Sequence, residues 1–154
     1  MEQTMAKYHQ GIFKPINPQK YKGDPTNITY RSGWECRVMS HFDLHPDVIW
    51  WSSEEKIIPY RSPIDNRIHR YFPDFLVHMK SQDGKTQTVL IEVKPKSQTK
   101  PPAVPKNTKN RKYINEVMTW GINSSKWAAA EEYCKDRGYI FKILTEDDIL
   151  GTRK

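Results

Sequence analysis

Glu92 and Lys94 stand two residues apart in Val89-Leu90-Ile91-Glu92-Val93-Lys94-Pro95-Lys96, a stretch that reads as a strand up to Lys94. Strand side chains alternate between faces, so Val89, Ile91 and Val93 point to the core and Leu90, Glu92 and Lys94 to the other side. A carboxylate and an ammonium aimed the same way suit a divalent cation beside a phosphate: Glu holds Mg²⁺, and Lys orients a water or balances the phosphate's growing charge. A second carboxylate, Asp74, lies in Tyr71-Phe72-Pro73-Asp74-Phe75-Leu76-Val77, on a preceding strand. The connection between the strands decides whether the two acids meet. A two-residue Asp83-Gly84 turn makes paired residue numbers sum to 167 and sets Asp74 opposite Val93, on the wrong side. A three-residue loop, Gln82 to Gly84 with Gly84 left-handed, makes the sum 166 and sets Asp74 opposite Glu92. Opposed residues lie about 5 Å apart at Cβ, close enough to share a cation. The bland alternative is an amphipathic hairpin with a surface Glu-Lys pair.

The elements that must position these groups follow in order. Residues 1–31, with Pro15, Pro18, Gly23 and Pro25 among lysines and tyrosines, read as an extended arm laid over the domain. Phe13, Ile16, Tyr21, Ile28 and Tyr30 are its expected anchors. Ser32-Gly33-Trp34-Glu35 has capping-box spacing and opens a helix with Trp34, Val38 and Phe42 on one face, closed by Pro46. Glu35 is therefore a capping acid on this reading. His41 and His45 are four apart but lack further ligands, and read as surface histidines. Trp50-Trp51 belong to a strand around 48–52, one ring in the core and one partly exposed. Lys56–Tyr60 is an edge strand because it contains Pro59. A loop at Ser62–Arg67 leads into the hairpin of His69–Met79 with Thr86–Lys94, where Pro73 suggests a bulge or an edge. Residues 95–107 carry four prolines and form a loop. A helix is expected over Thr108–Trp120, broken at Gly121-Ile122-Asn123. A second runs from Ser124 or Ser125 to Arg137, ended by Gly138. A last strand, Tyr139–Leu144, joins beside the Glu92 strand through the helical crossover, and Thr145 caps a short terminal helix. The sum is an α/β fold of three layers, a central mixed sheet of four to five strands flanked by helices.

Composition sets the partners. The 154 residues are enough for one domain with a real core, and the formal charge is +7. Mean hydropathy is −0.83 and the pI is about 9.4. No apolar run approaches a membrane span and no secretory segment follows Met1, so no membrane role is expected. Cys36 and Cys134 make no metal pattern and are expected as free thiols. A polyanion is the expected partner. From Lys94 to Lys112 the chain holds basic residues and no acidic one. Lys96, Lys100, Lys106, Lys109, Arg111 and Lys112 are the candidates for phosphate contact, with a solvated linker as the alternative. No glycine-rich phosphate loop, nucleophile elbow or repeat is present, and no organic cofactor is expected.

Pro73-Asp74 followed by Glu92-Val93-Lys94 resembles the PD-(D/E)xK nuclease signature. The fuller resemblance is to the head-completion nucleases of tailed bacteriophages. It rests on Lys20-Tyr21-Lys22-Gly23-Asp24-Pro25, Ile28 to Glu35, Arg70-Tyr71-Phe72 with Asp74, Ile91 to Lys96, Asn115-Glu116 with Thr119-Trp120, and Phe141 to Glu146. The end-cutting endonuclease subunits of transposons are similar in the core. The resemblance implies a restriction-endonuclease-like domain over 32–154 and a Mg²⁺-dependent DNA endonuclease, with Mn²⁺ as the alternative ion. Catalytic residues are then Glu35, Asp74, Glu92 and Lys94, with Asp74, Glu92 and Glu35 as metal ligands; Glu35 enters through the resemblance. It also implies DNA and phage portal or neck proteins as partners, in the bacterial host cytoplasm and the head–neck of the virion. Two alternatives stay open: a DNA-binding structural head component with a weak or vestigial site, and a transposon end-cutting subunit. The chain ends soon after the nuclease core, leaving no separate domain for a transposase partner, which weighs against the last.

Overall fold

The structure is a computed structural model that describes residues 10–151. The first nine residues of the expected arm and the last three of the chain lie outside the described residues. A four-stranded sheet organises the rest, in the order β3 (Val48–Ser53), β6 (Phe75–Lys80), β7 (Thr86–Val93), β8 (Ile140–Leu144). β3 and β7 run antiparallel to β6, and β8 runs parallel to β7, so the sheet is mixed. The β6–β7 register pairs Phe75 with Ile91 and Lys80 with Thr86, the sum of 166. Ser81 and Lys85 close the loop through a 2.7 Å backbone bond, and Gly84 takes φ +85°. The three-residue loop with a left-handed glycine is therefore the one formed.

Strand alternation divides the core in two. On one face Trp51, Phe75, Val77, Val89 and Ile91 meet Val38, Met39 and Phe42 of α1 (Gly33–Leu44). On the other, Leu76 and Leu90 meet Trp127, Ala130 and Cys134 of α2 (Arg111–Arg137). Helix, sheet and helix make the three layers. Each face also carries a two-stranded ribbon. β1 (Gly11–Phe13) and β2 (Ile28–Tyr30) bring Phe13 and Ile28 to the α1 side. β4 (Ile58–Arg61) and β5 (Ile68–Tyr71) bring Ile58, Tyr60 and Tyr71 to the α2 side. Cys36 and Cys134 are free and lie on opposite sides of the sheet.

Three expectations change. The helix expected to break at Gly121 runs unbroken for 27 residues, from an Asn110 cap to left-handed Gly138. A Cβ at Gly121 would meet Pro63 of the β4–β5 loop at 3.6 Å, an ordinary contact, so the helix packs beside that loop with no clash that requires a glycine. The strand expected over His69–Met79 is two strands with different partners, β5 on β4 and β6 in the main sheet, parted at Phe72–Asp74 with Pro73 buried. Pro73 has no N–H to continue a ladder, so the chain turns there from ribbon to sheet. Of the arm's expected anchors, Phe13, Tyr21 and Ile28 are buried and Tyr30 packs against them, but Ile16 is 74% exposed.

Ile16 is passed over because its backbone is held instead. Asp43, only 2% exposed, accepts the N–H groups of Ile16 and Asn17 at 2.8 and 2.9 Å. Its carbonyl takes the Asn17 amide and Lys20 Nζ at 2.8 and 3.0 Å. This clamp seats Tyr21 edge-on against Trp51, 4.7 Å between ring centres. Asp43→Ala should remove two charge-assisted hydrogen bonds and destabilise the fold by about 3 kcal/mol. Urea unfolding measures it; a loss below about 0.5 kcal/mol, the size expected of a surface site, would refute the clamp.

Candidate active site

Glu92, near the end of β7, is only 6% exposed and lies on the α2 face of the sheet. The Tyr71 hydroxyl donates to its Oε1 at 2.5 Å, and Lys94 Nζ stands 3.6 Å from its Oε2. Burial pushes the Glu92 carboxyl above its usual range; the Tyr71 hydrogen bond and the charges of Lys94 and Lys126 pull against it. Lys126, on α2, lies over the Tyr71 and Tyr60 rings at 5.5 and 5.8 Å. Burial, then the neighbouring Glu92 charge, holds the Tyr71 phenol far above its ordinary value, so it remains a donor.

Asp74 sits just ahead of β6. On the 166 register Val93 would face Pro73, where the ladder has ended, and the Asp74 carboxylate takes over as acceptor: Val93 N–H donates to its Oδ2 at 2.7 Å. Burial first, then Glu92 and Glu35, push its carboxyl well above the usual range, against that N–H and Lys94. The two acids thus face a common space, as the register implied.

Glu35 arrives from the other layer. Ser32 caps α1 through the Glu35 N–H at 3.1 Å, but Glu35 does not return the bond to Ser32. Its Oε1 accepts from Arg31 N–H at 2.9 Å, one residue earlier than a capping box requires. Burial raises its pKa, the Arg31 N–H and guanidinium lower it, and Glu54 and Glu92 raise it. Arg31 and Glu54 form an ion pair. Glu54 donates its N–H to the Asp74 carbonyl at 3.0 Å and takes a left-handed φ of 55°. For a residue with a side chain this costs about 1–3 kcal/mol, a kind of strain that gathers at functional sites. Tyr71, Lys126, Arg31 and Glu54 were missed as site residues. Tyr71 and Arg31 had a signal, their places in the Arg70-Tyr71-Phe72 and Ile28-to-Glu35 blocks; Lys126 and Glu54 had none.

Among the described residues no three His, Cys, Asp or Glu side chains form a ready metal cage. The donors nonetheless fit a hard cation. They are carboxylate oxygens on separate elements, crowded enough to raise one another's pKa. Mg²⁺ commonly takes only one or two protein carboxylates and completes its shell with water and phosphate.

The basic segment divides. Lys96 Nζ pairs with Asp147 at 3.0 Å, and its N–H donates to Glu146 at 2.7 Å, tying the segment to α3 (Glu146–Leu150). Lys100, Arg111 and Lys112 line a groove of about 980 Å³ between the proline-rich loop and the start of α2, with Asn115, Glu116 and Trp120. Lys106 and Lys109 are exposed and stand outside its lining. His41 on α1 and His45 at its C-cap lie 4.9 Å apart with tilted rings, away from these groups.

Residues 45–146 match the family model described as TnsA-like endonuclease N terminal. Asp74, Glu92, Lys94 and Lys126 fall inside the match; Arg31 and Glu35 precede it. The chain is also 40% identical over 144 residues to the "Head completion nuclease" of Enterobacteria phage T4, across 92% of this chain and 93% of that protein.

The crowded acids have a consequence for the metal-free protein. Glu35, Asp74 and Glu92 all have raised folded-state values, so the folded chain keeps protons that the unfolded chain releases near pH 4. Stability should therefore be complete below about pH 4 for these groups and fall as pH rises through the folded values. Thermal unfolding in EDTA across this range should show the decline, with a shallower slope in Asp74→Asn. Equal slopes in the two proteins would mean that Asp74 is not crowded.

Proposed function

The chain belongs to the TnsA-like endonuclease N-terminal family, and on that footing we propose a metal-dependent DNA endonuclease that acts in phage head completion. One observation carries the reading: half-buried Asp74, held by the Val93 N–H, and buried Glu92 meet beside Lys94, where the fold itself gains nothing from a cluster of negative charge. Asp74 and Glu92 would hold Mg²⁺, or Mn²⁺ in its place, with Glu35 assisting by charge. The bound cation supplies Lewis-acid polarisation of the phosphate. Tyr71 occupies Glu92 Oε1 and so presents Oε2 on the side of Lys94. Lys94 orients the attacking water and balances charge on the phosphate as the water oxygen bonds to phosphorus and the opposite ester P–O bond breaks.

The likeness to the phage T4 protein runs over nearly all of both chains and supports the biological setting. In that setting the enzyme trims or finishes DNA ends at the portal of a filled head before tail joining. Portal or neck proteins are its neighbours, and host cytoplasm and virion its locations. A structural DNA-binding role with a vestigial site is the competing reading, and it predicts no cleavage.

Purified protein should nick or linearise plasmid DNA with Mg²⁺ and not with EDTA. Asp74→Asn keeps an acceptor for Val93 N–H, and Glu92→Gln keeps one for Tyr71, so both variants should fold. Each should lose cleavage by about 100-fold or more, the scale of removing a charge-stabilising group. Lys94→Ala should do the same. Cleavage retained by a folded Asp74→Asn or Glu92→Gln protein would remove that residue from the site.

A further inference from the structure

The groove beside α2 has a chemistry that the cleavage site alone does not need. Its cations, Lys100, Arg111 and Lys112, stand against a single carboxylate, Glu116, and Trp120 lines the same space. Trp120 is fixed edge-on against Trp127, 6.0 Å between ring centres, so the ring is held rather than loose. The chain also ties the groove's wall to the site at two points. Three residues beyond Lys94 the chain reaches its wall at Ser97, and Asn123 in its lining lies one helical turn before Lys126, whose charge acts on Glu92.

Size decides what it holds. At about 980 Å³ the groove is at the upper end of the volumes that enclose drug-sized molecules. A short run of unpaired nucleotides fits such a space, whereas a base-paired duplex is far too wide to enter it. A basic track with an aromatic platform is how single strands are bound without sequence preference, phosphates on the cations and a base on the ring. We propose that this groove receives unpaired nucleotides of the strand being cut, so that the preferred substrate is DNA with a single-stranded segment next to the scissile phosphate. The inference rests on the nuclease reading above and adds the structural class of its substrate.

End-labelled oligonucleotides of one sequence, as a flush duplex, a duplex with an unpaired flap and a free single strand, test this with Mg²⁺. The flap substrate should be cut about tenfold faster than the flush duplex, the scale of one base–aromatic stacking contact. Lys100→Gln/Arg111→Gln/Lys112→Gln, all on the surface, should erase the preference. Binding of the single strand in Ca²⁺ should then show a salt dependence flatter by up to about 2 in the log–log slope. Trp120→Phe should keep the preference and Trp120→Leu lose it; if Leu unfolds the protein, Phe and the triple variant still decide. Equal rates on flap and flush duplex, or an unchanged preference and slope in the triple variant, would overturn the groove's role and leave the nuclease reading standing. No cleavage of any substrate by the wild type would sink the nuclease reading. The Ca²⁺ binding comparison would then judge the groove by itself.

Discussion

Three carboxylates crowd at one end of the central sheet, and much of the surrounding structure exists to hold them there. A buried ionised carboxyl costs several kcal/mol even after relaxation, and a like charge nearby adds to that. Each acid is answered by a group from a different element. Asp74 has the Val93 N–H of β7, Glu92 has the Tyr71 hydroxyl of β5 and the nearby cations, and Glu35 has the Arg31 N–H ahead of α1. None of these partners is local to its acid's own turn of chain in the case of Asp74 and Glu92, so neither is compensated until ribbon, sheet and helix have closed together. The compensation is also incomplete, since burial still wins for all three acids. The proposed cation would relieve that residual tension.

The break at Pro73 makes the arrangement reachable. Had β5 and β6 been one strand, Tyr71 and Asp74 would have shared a single ladder in the main sheet. Instead the chain leaves the β4–β5 ribbon after Tyr71 and enters the sheet at Phe75. Tyr71 comes over Glu92 from the ribbon, while the Asp74 side chain replaces the missing strand carbonyl at Val93. At the far side, parallel β8 accepts the Lys94 N–H through Leu144 at 2.9 Å, which extends the alternation one residue beyond β7. Lys94 is thereby kept on the Glu92 face.

What the sequence made legible was local. Alternation in Val89–Val93, a left-handed requirement at Gly84 and the Ser32 cap each depend on a few neighbouring residues, and together they set the acids' register. The failures were contests between local preference and tertiary packing. Gly121 costs about 1 kcal/mol in a helix relative to alanine, and that is outweighed where the helix packs on β4. Asp43 was passed over because its partners lie 26 and 27 residues away. Lys96 read as part of a basic run, though its partner Asp147 is 51 residues on. Tyr71 and Lys126 meet Glu92 across the sheet's α2 face, and no periodicity in one segment encodes such a meeting.

Glu35 shows how one side chain serves helix and site at once. A full capping box would have turned its carboxylate back onto Ser32, fixing it to the helix it begins. Shifting the bond to Arg31 couples that carboxylate to the segment entering the helix. The Arg31 guanidinium pairs in turn with Glu54, and the Glu54 N–H holds the Asp74 carbonyl. The left-handed turn at Glu54 is what allows one residue to present its side chain to Arg31 and its backbone to Asp74. Helix α1 is thus tethered to the acid at the head of β6 by a relay of named bonds, and not only by the apolar core beneath it. By holding the entering segment, Glu35 is fixed close enough for its charge to raise the pKa of Asp74.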